Sequence, residues 1–292
     1  MINTTLISRI ARQELLVNIR NKWTVIFAGV FGLLIVGISY IGIMAEGFSG
    51  MQNFTRTSAS MLNLVLYIVP LVALIMGTLS FTSDRGTTEL LFSQPVFRSE
   101  VLLGKILGLF YSLSLSMLAG FLVAGGIILS VTGEEGMLQY GIFVLLSLLL
   151  ALVFLVIAVV IATANKRKSR SFGIALFAWF FFVLFYDLIV LGISLFFKGQ
   201  TANYILFLSL FGNPVDMVRV ASLIILDNVS IFGAAGAALL RFLGGSVLSV
   251  VLLVSALVLW IGIPLAFSRH LLNKQDMDNI FLTRGYKQVP ML

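Results

Sequence analysis

The run GMLQYGIFVLLSLLLALVFLVIAVVIATAN, residues Gly136–Asn165, contains no charged residue. The hydrocarbon core of a bilayer is about 30 Å thick, and roughly 20 apolar residues cross it as an α-helix with a rise of about 1.5 Å each. The run exceeds that length, and it does not alternate between apolar and polar residues as a membrane β-strand does. Because backbone groups in lipid must be satisfied within the chain, the run predicts a membrane-spanning helix.

Five further runs reach the same length: Trp23–Ala45, Thr57–Ser83, Ile106–Gly133, Ser171–Phe197 and Phe242–Ser268. Hydrophobic residues make up 60% of the 292 positions and charged residues 11%, whereas soluble proteins average about 45–50% and 25%. We therefore predict an all-α membrane protein, a single transmembrane domain of six transmembrane helices. Its spans are placed at about residues 23–45, 59–81, 106–131, 139–163, 172–197 and 243–268.

The distribution of Lys and Arg predicts the orientation. If the first residues are cytoplasmic, fifteen of the 19 basic residues lie inside and four lie outside, namely Arg56, Lys198, Arg219 and Arg241. The positive-inside rule then predicts that both termini are cytoplasmic, in a multi-pass protein of the inner (plasma) membrane. The net charge of +7 reflects this bias rather than nucleic-acid binding. We expect the N-terminal run, Trp23–Ala45, to be an uncleaved span, because it is too long for the apolar core of a signal peptide.

Residues 1–22 are predicted to form an interfacial helix that leads into the first span. Over positions 4–20 a helical wheel groups the apolar residues Leu6, Ile7, Ile10, Ala11 and Val17. Arginines 9, 12 and 20 lie on another side, which favours a helix under the cytoplasmic leaflet. A solvated basic leader is the alternative. Residues 269–292 are predicted to be a cytoplasmic tail.

Residues 198–241 are predicted to form outer-face helices. Asn213 and Pro214 suit the N-cap and first position of a helix, and Asp216 suits its first turn. A seventh span would place Asp216 and Arg219 in the bilayer, where each charge costs about 2.5–3.5 kcal/mol. It would also move the basic tail outside. We therefore favour a half-buried helix or a re-entrant pair.

Asp187 is the one charge within a predicted span. Its neighbours on the same helix face are apolar, so its partner must come from another helix, from water or from protonation. Candidate partners, chosen by chemical character alone, are Asn63, Tyr67, Ser112 and Ser116. Asp187 is either the polar lining of a transport or gating path or one end of a structural interhelical hydrogen bond.

The sequence lacks the residues of the usual catalytic sites. It has no G-x-x-x-x-G-K-[ST] phosphate loop, no cysteine and a single histidine, His270 in the predicted tail. We therefore predict no catalytic, cofactor or metal site in this chain, and no enzyme.

The segment FTSDRGTTELLFSQPVFRSEVLLGK, Phe81–Lys105, lies between two spans on the predicted cytoplasmic side. Thr82, Ser83 and Asp84 can cap a short helix, and Pro95 stops it. We predict that residues 82–105 form a cytoplasmic loop with a two-turn helix, which is too short to be a domain but long enough to dock onto one.

This pattern resembles the ABC-2 family of transporter permeases over the whole chain. The resemblance is in the basic leader ARQELLVNIRNKW (Ala11–Trp23), in DRGTTELLFSQPVFRSEVLLGK (Asp84–Lys105) and in NPVDMVRV (Asn213–Val220). The combination of these stretches, the third of which follows a span that contains an aspartate, is most similar to members that act in maturation of the copper enzyme nitrous oxide reductase.

The resemblance implies a permease fold of the type V exporter kind, a homodimer, and two separate ATPase subunits that bind ATP and Mg. In the family, the loop between spans two and three holds the coupling helix that docks onto the ATPase. Carried over to this sequence, the coupling helix comprises Asp84, Arg85, Gly86, Thr87, Thr88, Glu89, Leu90 and Leu91, before Pro95. A periplasmic or extracellular partner is expected at the outer face. The basic loop Asn165–Arg170 either contacts the same ATPase or anchors the chain at the membrane.

Three other functions stay open from the sequence. One is an ABC-2 exporter of another substrate, one is a membrane scaffold that needs no nucleotide, and one is a carrier built around Asp187. A neighbouring ATPase gene or co-purification with an ATPase separates the first from the other two.

Overall fold

The computed structural model describes residues 3–44, 50–83, 98–134, 136–165, 167–197, 200–226 and 245–286. All regular structure in these ranges is helical. The helices are α1 (Thr4–Ile19), α2 (Lys22–Met44), α3 (Gly50–Ser83), α4 (Arg98–Thr132), α5 (Met137–Ala164), α6 (Lys168–Phe180), a π-helical turn (Phe181–Phe185), α7 (Tyr186–Phe196), α8 (Gln200–Leu210), α9 (Pro214–Ile225) and α10 (Ser246–Tyr286).

Six helical segments in the described ranges are long and apolar enough to cross a membrane, which confirms the predicted fold class. They are Thr24–Ile41, Ser60–Thr82, Ser99–Ser130, Met137–Ala164, Lys168–Ile193 and Ser246–Leu271. The fifth combines α6, the π-helical turn and α7. The predicted coupling helix of residues 84–91, with Pro95, lies outside the described residues.

The bundle core is formed where α3 packs along α5 and α2 packs along α4. A Cβ atom added at Gly77 of α3 would lie 2.6 Å from the Cβ of Ala158 on α5, so the small residue permits this close approach. Between α2, α4 and α5, the buried rings of Phe31, Phe121 and Phe143 meet edge to face, with centroids 5.4 and 5.8 Å apart. These contacts fix the relative positions of the first four spans.

Helix α1 forms as predicted, and it packs against the first turns of α4. The side chain of Asn3 caps it by accepting a hydrogen bond from the Leu6 amide at 3.2 Å. A Cβ added at Gly108 of α4 would lie 2.6 Å from the carbonyl oxygen of Ala11, and one at Gly104 would lie 2.8 Å from Ile10. Both glycines therefore let α1 rest directly on α4.

The buried side of α1 includes two polar residues that lie within the apolar arc of the helical wheel. Val17 is 59% exposed, whereas Ala11, Glu14 and Asn18 are buried. Glu14 and Asn18 find polar partners inside the bundle, so the buried side of this helix does not have to be uniformly apolar.

Helix α4 begins at Arg98, so the end of the predicted 82–105 loop is helical. Glu100 and Lys105 are both almost fully buried. Glu100 accepts a hydrogen bond from the Asn3 amide at 2.6 Å, and the Lys105 ammonium lies 5.2 Å from the ring centroid of Phe81 on α3. These contacts allow the charged residues to continue the helix beyond the apolar span.

The predicted helix start at Asn213 is confirmed. Asn213 is the N-cap of α9, Pro214 follows it, and the Asn213 side chain accepts a hydrogen bond from the Val215 amide at 3.0 Å. The segments Tyr204–Leu210 and Pro214–Ile225 meet at an angle of 102°. Such a bend makes them a broken span or a re-entrant pair rather than a continuous helix.

We predict that the α8–α9 pair re-enters rather than crosses, so that six spans place both termini in the cytoplasm. Reporter fusions after Gly199 and after Met291 are expected to report outside and inside, respectively, because fifteen basic residues then lie on the cytoplasmic side. A tail that reports outside would mean that α8 and α9 together form a seventh span.

Candidate functional site

A sharp bend in the chain at residues 211–213, here called the elbow, reaches the middle of two spans. The indole nitrogen of Trp260, near the centre of the last span, donates a hydrogen bond to the carbonyl oxygen of Phe211 at 3.1 Å. The side-chain amide of Asn213 donates to the carbonyl oxygen of Phe182, near the centre of the fifth span, at 2.9 Å. The elbow therefore lies between these two helices at their mid-depth.

Three charged side chains meet beside the elbow. The Arg219 guanidinium nitrogen Nη1 lies 2.9 Å from Oδ2 of Asp187 on α7 and 2.7 Å from Oδ1 of Asp216 on α9. Asn213 donates to the other carboxylate oxygen of Asp216 at 2.8 Å. Residues 187, 216, 219 and 213 form what we call the elbow cluster. It joins the fifth span to α9 through charge-assisted hydrogen bonds.

The backbone of the elbow is satisfied by side chains. Tyr186 donates its hydroxyl to the carbonyl oxygen of Ser209 at 2.6 Å, while Trp260 bonds Phe211. Asn213 is fully buried and uses both ends of its amide. Non-helical backbone at membrane depth is tolerated only where protein or water supplies such partners. The elbow is therefore stabilised by specific side-chain hydrogen bonds.

A π-helical turn, Phe181–Phe185, directly precedes Asp187. The Tyr186 amide bonds the carbonyl oxygen of Phe181, five residues back. Such a turn holds one residue more than an α-turn, so it rotates every later side chain around the helix axis relative to an uninterrupted α-helix. Asp187 consequently shares its side of the helix with Phe182, whose carbonyl also contacts α9.

The partner of Asp187 differs from each candidate chosen by sequence. Asn63 and Tyr67 are exposed on α3, and the Tyr67 backbone carbonyl accepts a hydrogen bond from Trp179 at 2.9 Å. The Ser116 hydroxyl bonds the carbonyl oxygen of Ser112 within α4. Arg219 lies 32 positions after Asp187, and the only signal that could have suggested the pair is their opposite charge.

The elbow cluster can act as a link or as a polar surface. Its formal charge is one negative unit, because two carboxylates face one guanidinium. The side chain of Asp187 is 37% exposed, compared with 15% for Asp216 and 23% for Arg219. Asp187 therefore both holds α9 and keeps part of its side chain at the surface of this chain, which is compatible with either role predicted for it.

A second polar cluster joins α1 to the helices on both sides of the 84–97 segment. The Glu14 carboxylate oxygen Oε1 accepts hydrogen bonds from the Ser80 hydroxyl of α3 at 2.6 Å and from the Asn18 side chain at 2.9 Å. Glu100 of α4 accepts from the Asn3 amide. We call these five residues the α1 brace: Asn3, Glu14, Asn18, Ser80 and Glu100. No sequence pattern predicted this cluster, because Glu14 lies among residues assigned to a surface helix.

Comparison with known proteins identifies the family. The family model of the ABC-2 family transporter proteins matches residues 8–277. The chain belongs to the ABC-2 transporter family. It is also similar to the "Probable ABC transporter permease protein NosY" of Pseudomonas aeruginosa, with 36% identity over 275 residues, covering 92% of this chain and 98% of that protein. A protein of the same description in Stutzerimonas stutzeri is 36% identical over 264 residues, covering 88% and 94%.

The match includes Glu14, Ser80 and Glu100 of the α1 brace, the 84–97 segment and the elbow cluster. This ABC-2 permease is a multi-pass membrane protein and the membrane-spanning subunit of an ABC transporter. Membership of the family implies that an ABC ATPase is its partner. The relatives are described as permease proteins, which agrees with a subunit that does not itself hydrolyse ATP.

Proposed function

We propose that this permease couples ATP hydrolysis by a separate, NosF-like subunit to transport or to mechanical work on a partner at the outer face. ATP and Mg bind to that ATPase subunit. The permease acts as a homodimer in the inner membrane with both termini in the cytoplasm. Residues 84–91 form the coupling helix that docks onto the ATPase.

The α1 brace is the observation that carries this proposal. Helix α3 ends at Ser83 and α4 begins at Arg98. Both helices therefore lead into residues 84–97, which contain the proposed coupling helix and which we call the docking segment. Glu14 holds the end of α3, and Asn3 holds the start of α4. A chain without a phosphate loop of its own must receive force through such a segment. Helices tied together at this point would move with it as one unit.

The work of the transporter is assigned by similarity to the NosY proteins. We propose a role in maturation of the copper enzyme nitrous oxide reductase, with a NosD-like periplasmic partner at the outer face. The proposal routes no copper through this chain, since its sequence contains no cysteine and one histidine. The elbow cluster, which joins the fifth span to α9, is the element through which motion would reach the outer face.

A single-cysteine experiment tests the docking segment. The natural chain has no cysteine, so Thr88→Cys introduces a unique thiol. We expect an impermeant thiol reagent to label it only from the cytoplasmic side, and the bound ATPase to lower the labelling rate at least about tenfold by burying the site.

Thr201→Cys is the matched control. Thr201 is exposed at the start of α8, and its labelling should come from the outer side and be independent of the ATPase. Equal labelling of Thr88→Cys with and without the ATPase, in a complex shown to be assembled, would refute docking at this segment.

A further inference from the structure

Five exposed residues of α1 and its C-cap residue form a shallow groove that we call the basic face: Arg9, Arg12, Gln13, Leu16, Val17 and Arg20. Their spacing of three or four positions places them on one side of the helix. The three guanidinium groups lie along this side over most of the length of α1. We propose that the basic face binds the head group of an anionic phospholipid of the cytoplasmic leaflet.

The charge of the basic face is not balanced within the described chain. Glu14 is the one acidic residue of α1, and it lies on the opposite, buried side, bonded to Ser80 and Asn18. No ion pair to Arg9, Arg12 or Arg20 occurs among the described residues. Guanidinium groups match the oxygens of a phosphate with two parallel hydrogen bonds, so a phosphodiester is a suitable counter-ion.

The orientation of the basic face is fixed by the packing of α1. Ile10 and Ala11 rest on Gly104 and Gly108 of α4, and neither glycine leaves room for a larger side chain. Rotating α1 to bury an arginine would require breaking these contacts and the bonds of Glu14. The basic face therefore looks away from the bundle.

Two features favour lipid over a free phosphate or a protein partner. Leu16 and Val17 lie among the arginines and are 49% and 59% exposed. Helix α2 starts at Lys22, and Val25 and Ile26 in its first turns are 59% and 54% exposed, so the basic face adjoins the start of the first span. A helix with basic and aliphatic residues at this boundary suits a head group and the upper part of its acyl chains.

The proposal takes only the cytoplasmic position of α1 from the proposed function, so the test uses the purified full chain without an ATPase. The chain is placed in nanodiscs of phosphatidylcholine with increasing phosphatidylglycerol, and native mass spectrometry measures the phosphatidylglycerol retained. Each basic residue near an anionic membrane strengthens the attraction to its lipids. We expect R9Q/R12Q/R20Q to need at least about tenfold more phosphatidylglycerol for equal retention.

The matched control is R167Q/K168Q/R170Q, which removes three exposed basic residues at the N-terminal end of α6. It should change retention less than about threefold. A second variant, L16Q/V17Q, keeps the arginines and should weaken retention if acyl chains lie on the face. Unchanged retention in R9Q/R12Q/R20Q, or an equal loss in the control, overturns the proposal. A separate binding assay with the ATPase added completes the test: unchanged lipid retention together with lost ATPase binding in R9Q/R12Q/R20Q would assign the face to that protein.

Discussion

Replacing Arg219 by methionine is expected to lower the free energy of unfolding by about 3 kcal/mol, because it leaves two carboxylates facing each other without a cation. Asp187 and Asp216 each lie within 3 Å of the same guanidinium nitrogen, at 2.9 and 2.7 Å. Asp216 is the less exposed of the two, at 15%, so water replaces the lost cation poorly. Unfolding of the purified chain in one detergent, by heat or denaturant, measures the change.

Arg170→Met is the matched control. It replaces the same side chain by the same residue, but at an exposed position at the start of α6. It should alter stability by less than about 0.5 kcal/mol. The triple variant D187N/R219M/D216N removes all three charges and should recover most of the lost stability, because neutral replacements of a buried ion pair are often tolerated. If R219M is as stable as the control, the elbow cluster does not hold the fold together.

The same variants separate the two roles of Asp187. A structural link requires only that stability be restored, so the neutral triple variant would then regain ATP turnover in the assembled transporter. A carboxylate that lines a transport or gating path is needed for its charge. In that case the triple variant would be stable yet low in transport-linked ATP turnover.

The helix start at Asn213 could be predicted because capping depends on a few consecutive residues. The partner of Asp187 could not be, because it depends on a helix 32 positions away and on a π-helical turn. A wheel at 3.6 residues per turn sets Val183 and Leu184 beside Asp187, but the turn replaces that register. The charge distribution placed Arg219 among the outer basic residues, so it was not considered as the counter-ion of Asp187.

The spans were predictable because their length and apolarity follow directly from bilayer thickness. The continuation of a span's helix beyond the apolar run could not be predicted in the same way. Residues 98–105 contain three charges, so they were assigned to a loop, yet the structure continues α4 through them. Glu100 and Lys105 find their partners on α1 and α3, and such contacts between distant segments leave no periodic pattern in the sequence.

Gly108→Val should be the most disruptive change where α1 packs on α4, with an expected loss of about 2–3 kcal/mol for overpacking. Even a Cβ atom at this position would lie 2.6 Å from the Ala11 carbonyl oxygen and 2.6 Å from the Glu14 Cβ. The first of these atoms is backbone, so no rotamer change relieves the clash and α1 must move away. Glu14 would then lose its bond to Ser80.

Local release of α1 can be measured by trypsin, which cuts at Arg9, Arg12 and Arg20 only when the helix opens. A loss of about 2 kcal/mol predicts cleavage on the order of 30-fold faster when opening limits the reaction through its equilibrium. Gly126→Val is the matched control on the same helix, because a Cβ at Gly126 meets no atom within 4 Å. Equal cleavage of the two variants would show that α1 is not held by this contact.

The same pair of variants tests whether the brace transmits force. If α1 ties α3 and α4 to the docking segment, Gly108→Val should keep the ATPase bound, since residues 84–91 are unchanged, but should lower the ATP turnover that depends on the permease. Gly126→Val should leave both properties unaltered. Turnover that stays normal after α1 has been released would limit α1 to anchoring, and force would then have to pass from the docking segment through α3 and α4 alone.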